Sequence, residues 1–238
     1  MEYTFWNFRD TELFNELRSK LTPPSNLETW GSPDHISELL TAGMFYETHT
    51  LLQFYNDLPS DGLILDIGAN IGNHQVMFNQ LWENRKIIGF EASPLNYNKL
   101  FPNTSQYPNT ANICVGLGEN LSIEYITHFK ENMGGSGVRN INKLLNVHQE
   151  VSPLPIVICP LDSYQFEDKI ELVKIDVEGY ELNVVKGAKQ TFAKHKPTIW
   201  IEDFKYEKDY NNSAIKYLID ELDYSIVNQS ECNYLLKL

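Results

Sequence analysis

The sequence predicts a doubly wound α/β fold with a mainly parallel sheet. From Leu63 onward, short runs rich in Ile, Val, Leu and Phe alternate with stretches of helical character, as in βαβ units. Several runs are continuously apolar, which is typical of parallel strands buried on both faces. The predicted strands are residues 63–67, 86–91, 112–117, 171–177, 198–202, 225–228 and 234–238, and the predicted helices are residues 70–82, 94–101, 180–194 and 213–222.

The last two predicted strands are joined by the short polar segment 229–233, which is too short for a helical crossover. We therefore expect them to form an antiparallel hairpin. A seven-stranded sheet that is parallel except for one strand delivered by a terminal hairpin is the Rossmann-like arrangement of class I methyltransferases. The dinucleotide-binding Rossmann sheet normally has no such closing strand.

Two segments lie outside the alternation of strands and helices. Residues 1–59 contain two helix-like stretches, 11–20 and 33–56, separated by Pro23-Pro24, and we expect an N-terminal helical cap before a domain at residues 60–238. Residues 128–155 contain Met133-Gly134-Gly135-Ser136-Gly137 and little periodicity, which predicts an inserted loop or lid beside a site. A plain flexible linker is the alternative. We expect His128 and His148 on the surface of this insertion.

Composition restricts the partners and the compartment that we expect. The chain has 19 basic and 32 acidic residues, a formal net charge of −13, so general attraction to nucleic acids or anionic lipids is disfavoured. The first ten residues lack a signal-peptide pattern and no stretch approaches ~20 apolar residues, which predicts a cytoplasmic protein without membrane insertion. Cys114, Cys159 and Cys232 lack zinc-site spacing, and we expect buried thiols.

The segment Asp66-Ile67-Gly68-Ala69-Asn70-Ile71-Gly72 follows a strand and opens a helix, as a ligand-binding loop does. Gly68 and Gly72 allow a sharp turn and close approach of a ligand. The pattern differs from the dinucleotide fingerprint, because Asn70 and Asn73 stand at its second and third glycines, and it lacks the lysine of a P-loop. Asp66 would repel a pyrophosphate but attract an ammonium group, so we expect an amino-acid-bearing cofactor.

The second predicted strand ends at Glu91, followed by Ala92 and Ser93. Because carboxyl ends of neighbouring parallel strands share one edge, Glu91 is expected beside the glycine loop, where a carboxylate can bind both hydroxyls of a ribose. The alternative is a tight turn followed by a solvated acidic strand end.

Three segments resemble the FkbM family of methyltransferases: residues 65–72 (LDIGANIG), residues 89–94 (GFEASP) and residues 173–181 (VKIDVEGYE). Residues 160–163 and Lys186-Gly187-Ala188 resemble shorter family elements, whereas Ala92-Ser93 departs from the usual pair and residues 1–59 carry no family motif. The resemblance implies a methyltransferase that uses S-adenosylmethionine, commonly to methylate a hydroxyl oxygen on sugars, polyketides or related metabolites. The implied cofactor-binding residues are Asp66, Gly68, Ala69, Asn70, Gly72, Asn73, Glu91, Ala92, Ser93 and Asp176.

Methylation of a hydroxyl requires removal of its proton, and four carboxylates are predicted at adjacent strand ends. They are Asp176, Glu178, Glu202 and Asp203. One of them, most plausibly Asp176 or Glu178, acts as general base, or several gather a divalent cation that activates the hydroxyl. His74, in the first turn after the glycine loop, is a third candidate base. The alternatives to O-methylation are N-methylation, a module that binds the cofactor without catalysis, and a dehydrogenase, which the glycine pattern disfavours.

Structural roles are expected for other residues in or near these motifs. Asp162 is expected to cap a helix, and Glu181 to form an exposed ion pair. The aromatic residues Phe45, Tyr46, Phe54 and Tyr55 have helical spacing, which is typical of core packing. Tyr46-Glu47 could nevertheless close over the cofactor. The acceptor is expected to be a small molecule or a glycan unit.

Overall fold

The computed structural model describes residues 11–31, 33–129, 132–139 and 153–238. These residues form eleven strands in two sheets, and each strand is numbered in chain order. The strands are β1 Leu63–Ile67, β2 Ile87–Glu91, β3 Thr110–Cys114, β4 Gly116–Leu117, β5 Ser122–Phe129, β6 Asn132–Arg139, β7 Leu154–Cys159, β8 Ile170–Ile175, β9 Thr198–Glu202, β10 Ser225–Ser230 and β11 Asn233–Lys237.

Nine α-helices occur within the same described ranges. They are α1 Thr11–Lys20, α2 His35–Thr41, α3 Thr48–Phe54, α4 Asn73–Leu81, α5 Pro94–Thr104, α6 Glu181–Lys186, α7 Lys189–His195, α8 Lys205–Lys208 and α9 Ala214–Leu222. Short 3₁₀ turns are found at Tyr55–Asp57, Leu161–Ser163 and Tyr210–Asn212.

The main sheet has seven strands in the order β10-β11-β9-β8-β1-β2-β3. Strand β11 is antiparallel to both of its neighbours, and the remaining neighbours pair in parallel. This confirms the doubly wound α/β fold with a terminal antiparallel hairpin. The chain proceeds outward in opposite directions from β1 and β8, so the carboxyl ends of these strands flank a crevice of the kind that binds ligands in open α/β sheets.

Both faces of the main sheet are covered, which explains why β1 is buried along its whole length. Successive side chains of a strand point to opposite faces. On one face, Leu65 belongs to an apolar cluster with residues of α6, α7 and α9, including Val184, Phe192 and Leu218. On the other face, Ile64 joins a cluster that includes Leu51 and Phe54 of α3, Val76 and Phe78 of α4, and Trp200 of β9. The N-terminal helices therefore share a core with the main sheet.

The second sheet, in the order β4-β7-β5-β6, was not predicted. The predicted strand 112–117 divides at Val115, because Gly116 leaves the main sheet and pairs with Ile158 of β7. The glycine-rich residues 133–137 lie within β6, where the sequence predicts an irregular loop; Gly137 pairs with Thr127 of β5, and the register between the two strands shifts between Thr127 and Phe129. Residues 140–152, including His148, lie outside the described residues.

Two long predicted helices are each divided in the structure. The predicted helix 180–194 breaks into α6 and α7 near Gly187, whose Cα lies so close to the residue after β4 that an added Cβ would be 1.9 Å from the Gly118 carbonyl oxygen. Asp162 then caps α7, accepting hydrogen bonds from the amides of Gln190 at 3.0 Å and Thr191 at 2.8 Å. Asp162 thus has the structural role that the sequence predicts, but it does not cap a helix that begins beside it. The stretch 33–56 contains α2 and α3 rather than one helix.

The prediction of buried cysteines is wrong for Cys114, which is exposed at the end of edge strand β3, while Cys159 and Cys232 are half-buried. All three are free thiols. Among the helices that the structure describes, none is long and apolar enough to cross a membrane.

Candidate functional site

A cleft of about 950 Å³, counting the space open to solvent, lies at the carboxyl ends of β1, β2, β8 and β9. The main sheet forms its floor, the N-terminal cap one wall and the second sheet the other. The residues that line it are His35, Ile36, Tyr46, Ile67, Gly68, Asn70, Phe90, Glu91, Ala92, Asn96, Val115, Gly116, Leu117, Ile126, Val138, Ile158, Asp176, Val177, Glu178, Tyr180 and Glu202.

The glycine loop after β1 is held in a conformation that side chains disfavour. Gly68 has a φ of +83°, and a Cβ on it would lie 1.8 Å from the Asp176 carbonyl oxygen of the neighbouring strand end. Asn70 also has a positive φ, +51°, and Gly72 has +95°. Gly68 and Asn70 line the cleft, whereas Ala69 is buried and Gly72 faces α5. The loop therefore presents backbone atoms to the cleft rather than large side chains.

Glu91 lies at the end of β2 and is 5% exposed. Its two carboxylate oxygens accept hydrogen bonds from the amides of Asn70, at 2.7 Å, and Ser93, at 2.8 Å. Burial raises the pKa of Glu91 to about 7 although these hydrogen bonds favour the charged form. Ala92 lines the cleft beside it, and Ser93 is fully buried, where its hydroxyl caps α5 by accepting from the Asn96 amide.

Asp66 is completely buried beneath the glycine loop and does not line the cleft. Burial raises its pKa, and neither carboxylate oxygen makes a hydrogen bond of normal geometry within the described residues, although Gln75 approaches closely enough to favour the charged form. Its compensating charge is Lys174, which is 1% exposed on β8. Burial would lower the pKa of Lys174, but Asp176, Asp66 and Glu47 outweigh it and raise that pKa.

Three carboxylates line the cleft at the ends of two adjacent strands: Asp176 and Glu178 after β8, and Glu202 at the end of β9. Asp176 forms an ion pair with Lys174, with Oδ2 and Nζ 3.1 Å apart. Glu178 is exposed toward the cleft, yet surrounding protein atoms, together with Asp176 and Glu181, raise its pKa to about 7. Burial and the charges of Asp176 and Glu47 raise the pKa of Glu202 to about 9.

Two acidic residues near these carboxylates have structural roles. Asp203 accepts hydrogen bonds from the Ser213 hydroxyl at 2.8 Å and from the Ile215 amide at 3.2 Å, so it fixes the start of α9. Glu181 accepts a hydrogen bond from the Gly179 amide at 2.7 Å and is 4% exposed. The predicted exposed ion pair of Glu181 is therefore wrong, because its carboxylate folds back onto the turn before α6.

His74 and Asn73 connect the cap to the glycine loop and do not line the cleft. The Asn73 side chain bonds the amide and the carbonyl of Tyr46, each at 3.0 Å. His74 Nε2 lies 3.1 Å from Oε2 of Glu47, and its ring packs edge-on against Trp200. Contacts with His74, Lys174 and Asn233 outweigh burial and lower the pKa of Glu47 to about 2. As a result, Tyr46 is fixed in the cleft wall.

The wall formed by the second sheet was missed from the sequence. Ile126, Val138 and Ile158 line the cleft from β5, β6 and β7, and Tyr180 does so from the turn before α6. Alternating apolar residues have the same pattern whether they face a core or a cleft, so the sequence carries no signal for this role. The predicted surface position of His128 is wrong as well: it is 1% exposed, because β5 points it inward against Ser93.

No group of three or more His, Cys, Asp or Glu side chains is arranged to hold a metal ion within the part of the chain that the structure describes. Asp176, Glu178 and Glu202 share the cleft without forming such a group. The cleft instead contains Glu178 and Glu202, whose carboxylates differ in pKa, and Glu91, whose carboxylate is fixed by two backbone amides.

Comparison with known proteins adds to this description. A family model described as the methyltransferase FkbM domain matches residues 66–236. Methyltransferase sdnD of Sordaria araneosa is 28% identical over 160 residues, which cover 55% of this chain and 62% of that protein. Methyltransferase 1 of Beauveria bassiana is 23% identical over 148 residues, which cover 54% and 59%. The chain thus spans about three fifths of the length of these relatives.

The fold also resembles that of a solved structure. The crystal structure of a methyltransferase FkbM from Methylobacillus flagellatus superposes with a TM-score of 0.53 at 17% identity, covering 95% of this chain and 58% of that one. At this identity the likeness concerns the fold, including the seven-stranded sheet at whose edge the cleft lies.

Proposed function

The chain belongs to the FkbM methyltransferase family, and on that premise we propose that it transfers a methyl group from S-adenosylmethionine to a hydroxyl oxygen of a sugar, a glycan precursor or another small metabolite. The observation that carries this proposal is that Asp176, Glu178 and Glu202 line the same cleft as Glu91 and the glycine loop. A bound S-adenosylmethionine would supply an electrophilic methyl group on a positively charged sulfur.

The deeper part of the cleft fits the cofactor. Glu91 is fixed by two backbone amides, and its free lone pairs can accept both ribose hydroxyls. Phe90, Val115 and Leu117 provide apolar surface beside it for an adenine ring. The side-chain oxygens of Asn70 and Asn96 are buried without a hydrogen-bond partner among the described residues, and both residues line the cleft, so each has an unused acceptor for a ligand.

The negative lining suits a cationic donor. Asp176 is paired with Lys174. It lies close to the glycine loop, as shown by the collision that a Cβ on Gly68 would make with its backbone. An ammonium or sulfonium group here would face carboxylates, whereas a pyrophosphate would be repelled. In this proposal Asp66 lies beneath the loop and does not contact the ligand. It acts through its negative charge and through the shape that it gives to the loop.

At the mouth, Glu178 is the residue that we propose as general base. A base works best when its pKa is near the operating pH, and the pKa of Glu178 is raised to about 7. Glu202, with a pKa raised to about 9, is protonated at neutral pH and would donate a hydrogen bond to the acceptor. His74 is enclosed behind the loop, so we assign it to holding the cap and not to proton transfer.

The test has two steps. Calorimetry with S-adenosylhomocysteine should show binding that Glu91→Ala weakens, while Glu221→Ala, on the exposed face of α9, leaves it unchanged. Methyl-labelled cofactor is then incubated with free sugars, nucleotide sugars, phenols and amines, with and without magnesium. We expect label on a hydroxyl compound without added metal.

Each step can contradict the proposal in its own way. Absence of cofactor binding would overturn the whole proposal. Labelling of amines alone would indicate an N-methyltransferase, and binding without labelling of any acceptor would favour a module that binds the cofactor without catalysis. Labelling only with magnesium would favour activation of the acceptor by a divalent cation.

A further inference from the structure

We propose that His128, on strand β5 of the second sheet, is a positioning residue for the cofactor: through Ser93 it holds the carboxylate of Glu91 in place. The inference rests on the proposed function, because it takes Glu91 to bind the ribose hydroxyls of S-adenosylmethionine. It assigns to the second sheet a part in cofactor binding, although the motifs that predict the cofactor site lie on the main sheet.

The three residues form a continuous chain of short contacts. Nε2 of His128 lies 2.6 Å from Oγ of Ser93, and the Ser93 amide donates a 2.8 Å hydrogen bond to Oε1 of Glu91. The exposed fractions are 1% for His128, 0% for Ser93 and 5% for Glu91. Water therefore has little access to these side chains, and a displaced hydrogen bond would not be readily replaced by solvent.

Ser93 Oγ accepts the 3.2 Å hydrogen bond of the Asn96 amide at the start of α5, and a hydroxyl can at the same time donate its own proton. In this inference Ser93 donates that proton to Nε2 of His128. A neutral imidazole is required to accept it, and burial lowers the pKa of His128 in the direction that favours this form.

Burial alone does not account for an imidazole at position 128, because a buried apolar ring would avoid the cost of burying nitrogen atoms. Nδ1 of His128 is buried without a hydrogen-bond partner among the described residues, so the contact with Ser93 is the one that the structure shows for this ring.

Ile126, two residues before His128 on β5, lines the cleft. One strand therefore carries both a cleft-wall residue and the group that fixes Ser93. A displacement of the second sheet would be transmitted to Glu91 through this contact, which couples the acceptor side of the cleft to the ribose side.

The test uses calorimetry with two ligands, S-adenosylhomocysteine and its 2′,3′-dideoxy form, which lacks the hydroxyls that Glu91 would bind. We expect His128→Phe to weaken binding of S-adenosylhomocysteine about tenfold, as for loss of one buried hydrogen bond. Binding of the dideoxy form should change less than about threefold, within the scatter of indirect effects. His128→Gln, whose amide oxygen can accept the Ser93 proton, should restore most of the affinity.

His195 offers a matched control. It is also buried and also uses one ring nitrogen, accepting the Ile170 amide at 3.1 Å, but it lies at the opposite end of β8 from the cleft. His195→Phe should lower thermal stability and leave the affinity for both ligands unchanged. If His128→Phe does not fold, Ser93→Ala, which removes the same contact from its other side, carries the same comparison of the two ligands.

The outcomes separate this inference from the function on which it rests. Equal weakening of both ligands would show that His128 acts on overall structure, and unchanged binding of both would show that it does not act on the site. Either result overturns the inference while wild-type binding of S-adenosylhomocysteine preserves the proposed function. If the wild-type chain binds neither ligand, the proposed function fails and the inference fails with it.

Discussion

The backbone amide of Asn70 donates a 2.7 Å hydrogen bond to Oε2 of Glu91, and this contact joins the glycine loop after β1 to the acidic end of β2. Asn70 presents its amide in this direction because its φ is +51°, in the left-handed region that Asn tolerates better than most residues. The two motifs that the sequence presents separately therefore form one preorganised element, whose carboxylate is oriented before a ligand arrives.

Glu91 should make stability depend on pH. Its pKa is raised by burial to about 7 from 4.5, so between these values the folded state keeps a proton that the unfolded state has released. The contribution is fully present below pH 4.5 and is lost as the pH rises through 7. Between pH 5 and pH 8, the free energy of unfolding of the wild type should fall by ~2–3 kcal/mol relative to Glu91→Gln. Urea unfolding at both pH values measures this difference.

Glu16→Gln, on the exposed face of α1, is the control, and it should follow the wild type at both pH values. A Glu91→Gln variant that loses stability in parallel with the wild type would show that Glu91 is already ionised at pH 5.

Gly68 should tolerate alanine far less than another glycine with the same backbone conformation. Gly68 and Gly43 have φ values of +83° and +77°, but a Cβ would meet the Asp176 carbonyl oxygen at 1.8 Å from Gly68 and nothing within 4 Å from Gly43. Gly43→Ala should cost about 1 kcal/mol from backbone strain. Gly68→Ala should cost at least about 2 kcal/mol more, because β1 and β8 must separate, and it should weaken binding of S-adenosylhomocysteine. Urea unfolding and calorimetry test both; similar values for the two variants would show that the loop adapts.

Lys174 should be essential for stability. Its side chain is 1% exposed and compensates Asp66, Asp176 and Glu47, so Lys174→Met leaves buried carboxylates without their cation. Removal of one partner from a buried ionic group costs about 3–5 kcal/mol. Urea unfolding at pH 7 should show this loss. Lys86→Met, which removes an exposed pair with Asp168, should leave the midpoint unchanged. A comparable midpoint for both variants would mean that the carboxylates take up protons at little cost.

Much of the main sheet could be predicted from the sequence because local pattern decides it. The bounds of β1 and β9 agree with the prediction, since each is an apolar run long enough to cross a sheet covered on both faces. The second sheet could not be predicted, because β6 contains Gly134, Gly135 and Gly137, which are poor strand formers, and its pairing with β5 depends on tertiary contacts.

The candidate site also contains residues that could be predicted from the sequence and residues that could not. Acidic residues at strand ends, such as Glu91 and Asp176, stand out in a sequence, because the carboxyl ends of parallel strands are where ligands bind. The same signal also selects Asp203, whose carboxylate fixes the start of α9. The apolar wall and the burial of His128 and Lys174 do not stand out, since the burial of a polar side chain depends on which element packs over it.

The last prediction concerns Glu178 and is tested on the acceptor identified with labelled cofactor. The pKa of Glu178 is raised to about 7 and that of Glu202 to about 9. A base must be ionised and a hydrogen-bond donor protonated, so kcat/KM should rise with pH through about 7 and fall above about 9.

Glu178→Gln should lower kcat about 10²-fold or more and remove the lower limb of this profile. Its affinity for S-adenosylhomocysteine should stay within about threefold of the wild type, because Glu178 lies at the mouth and Glu91 holds the ribose side. Glu221→Gln should change neither quantity. If Glu178→Gln keeps the wild-type rate and the lower limb near 7, proton removal belongs to Asp176 or to solvent, and the raised pKa of Glu178 then reflects only its burial and the charges of Asp176 and Glu181.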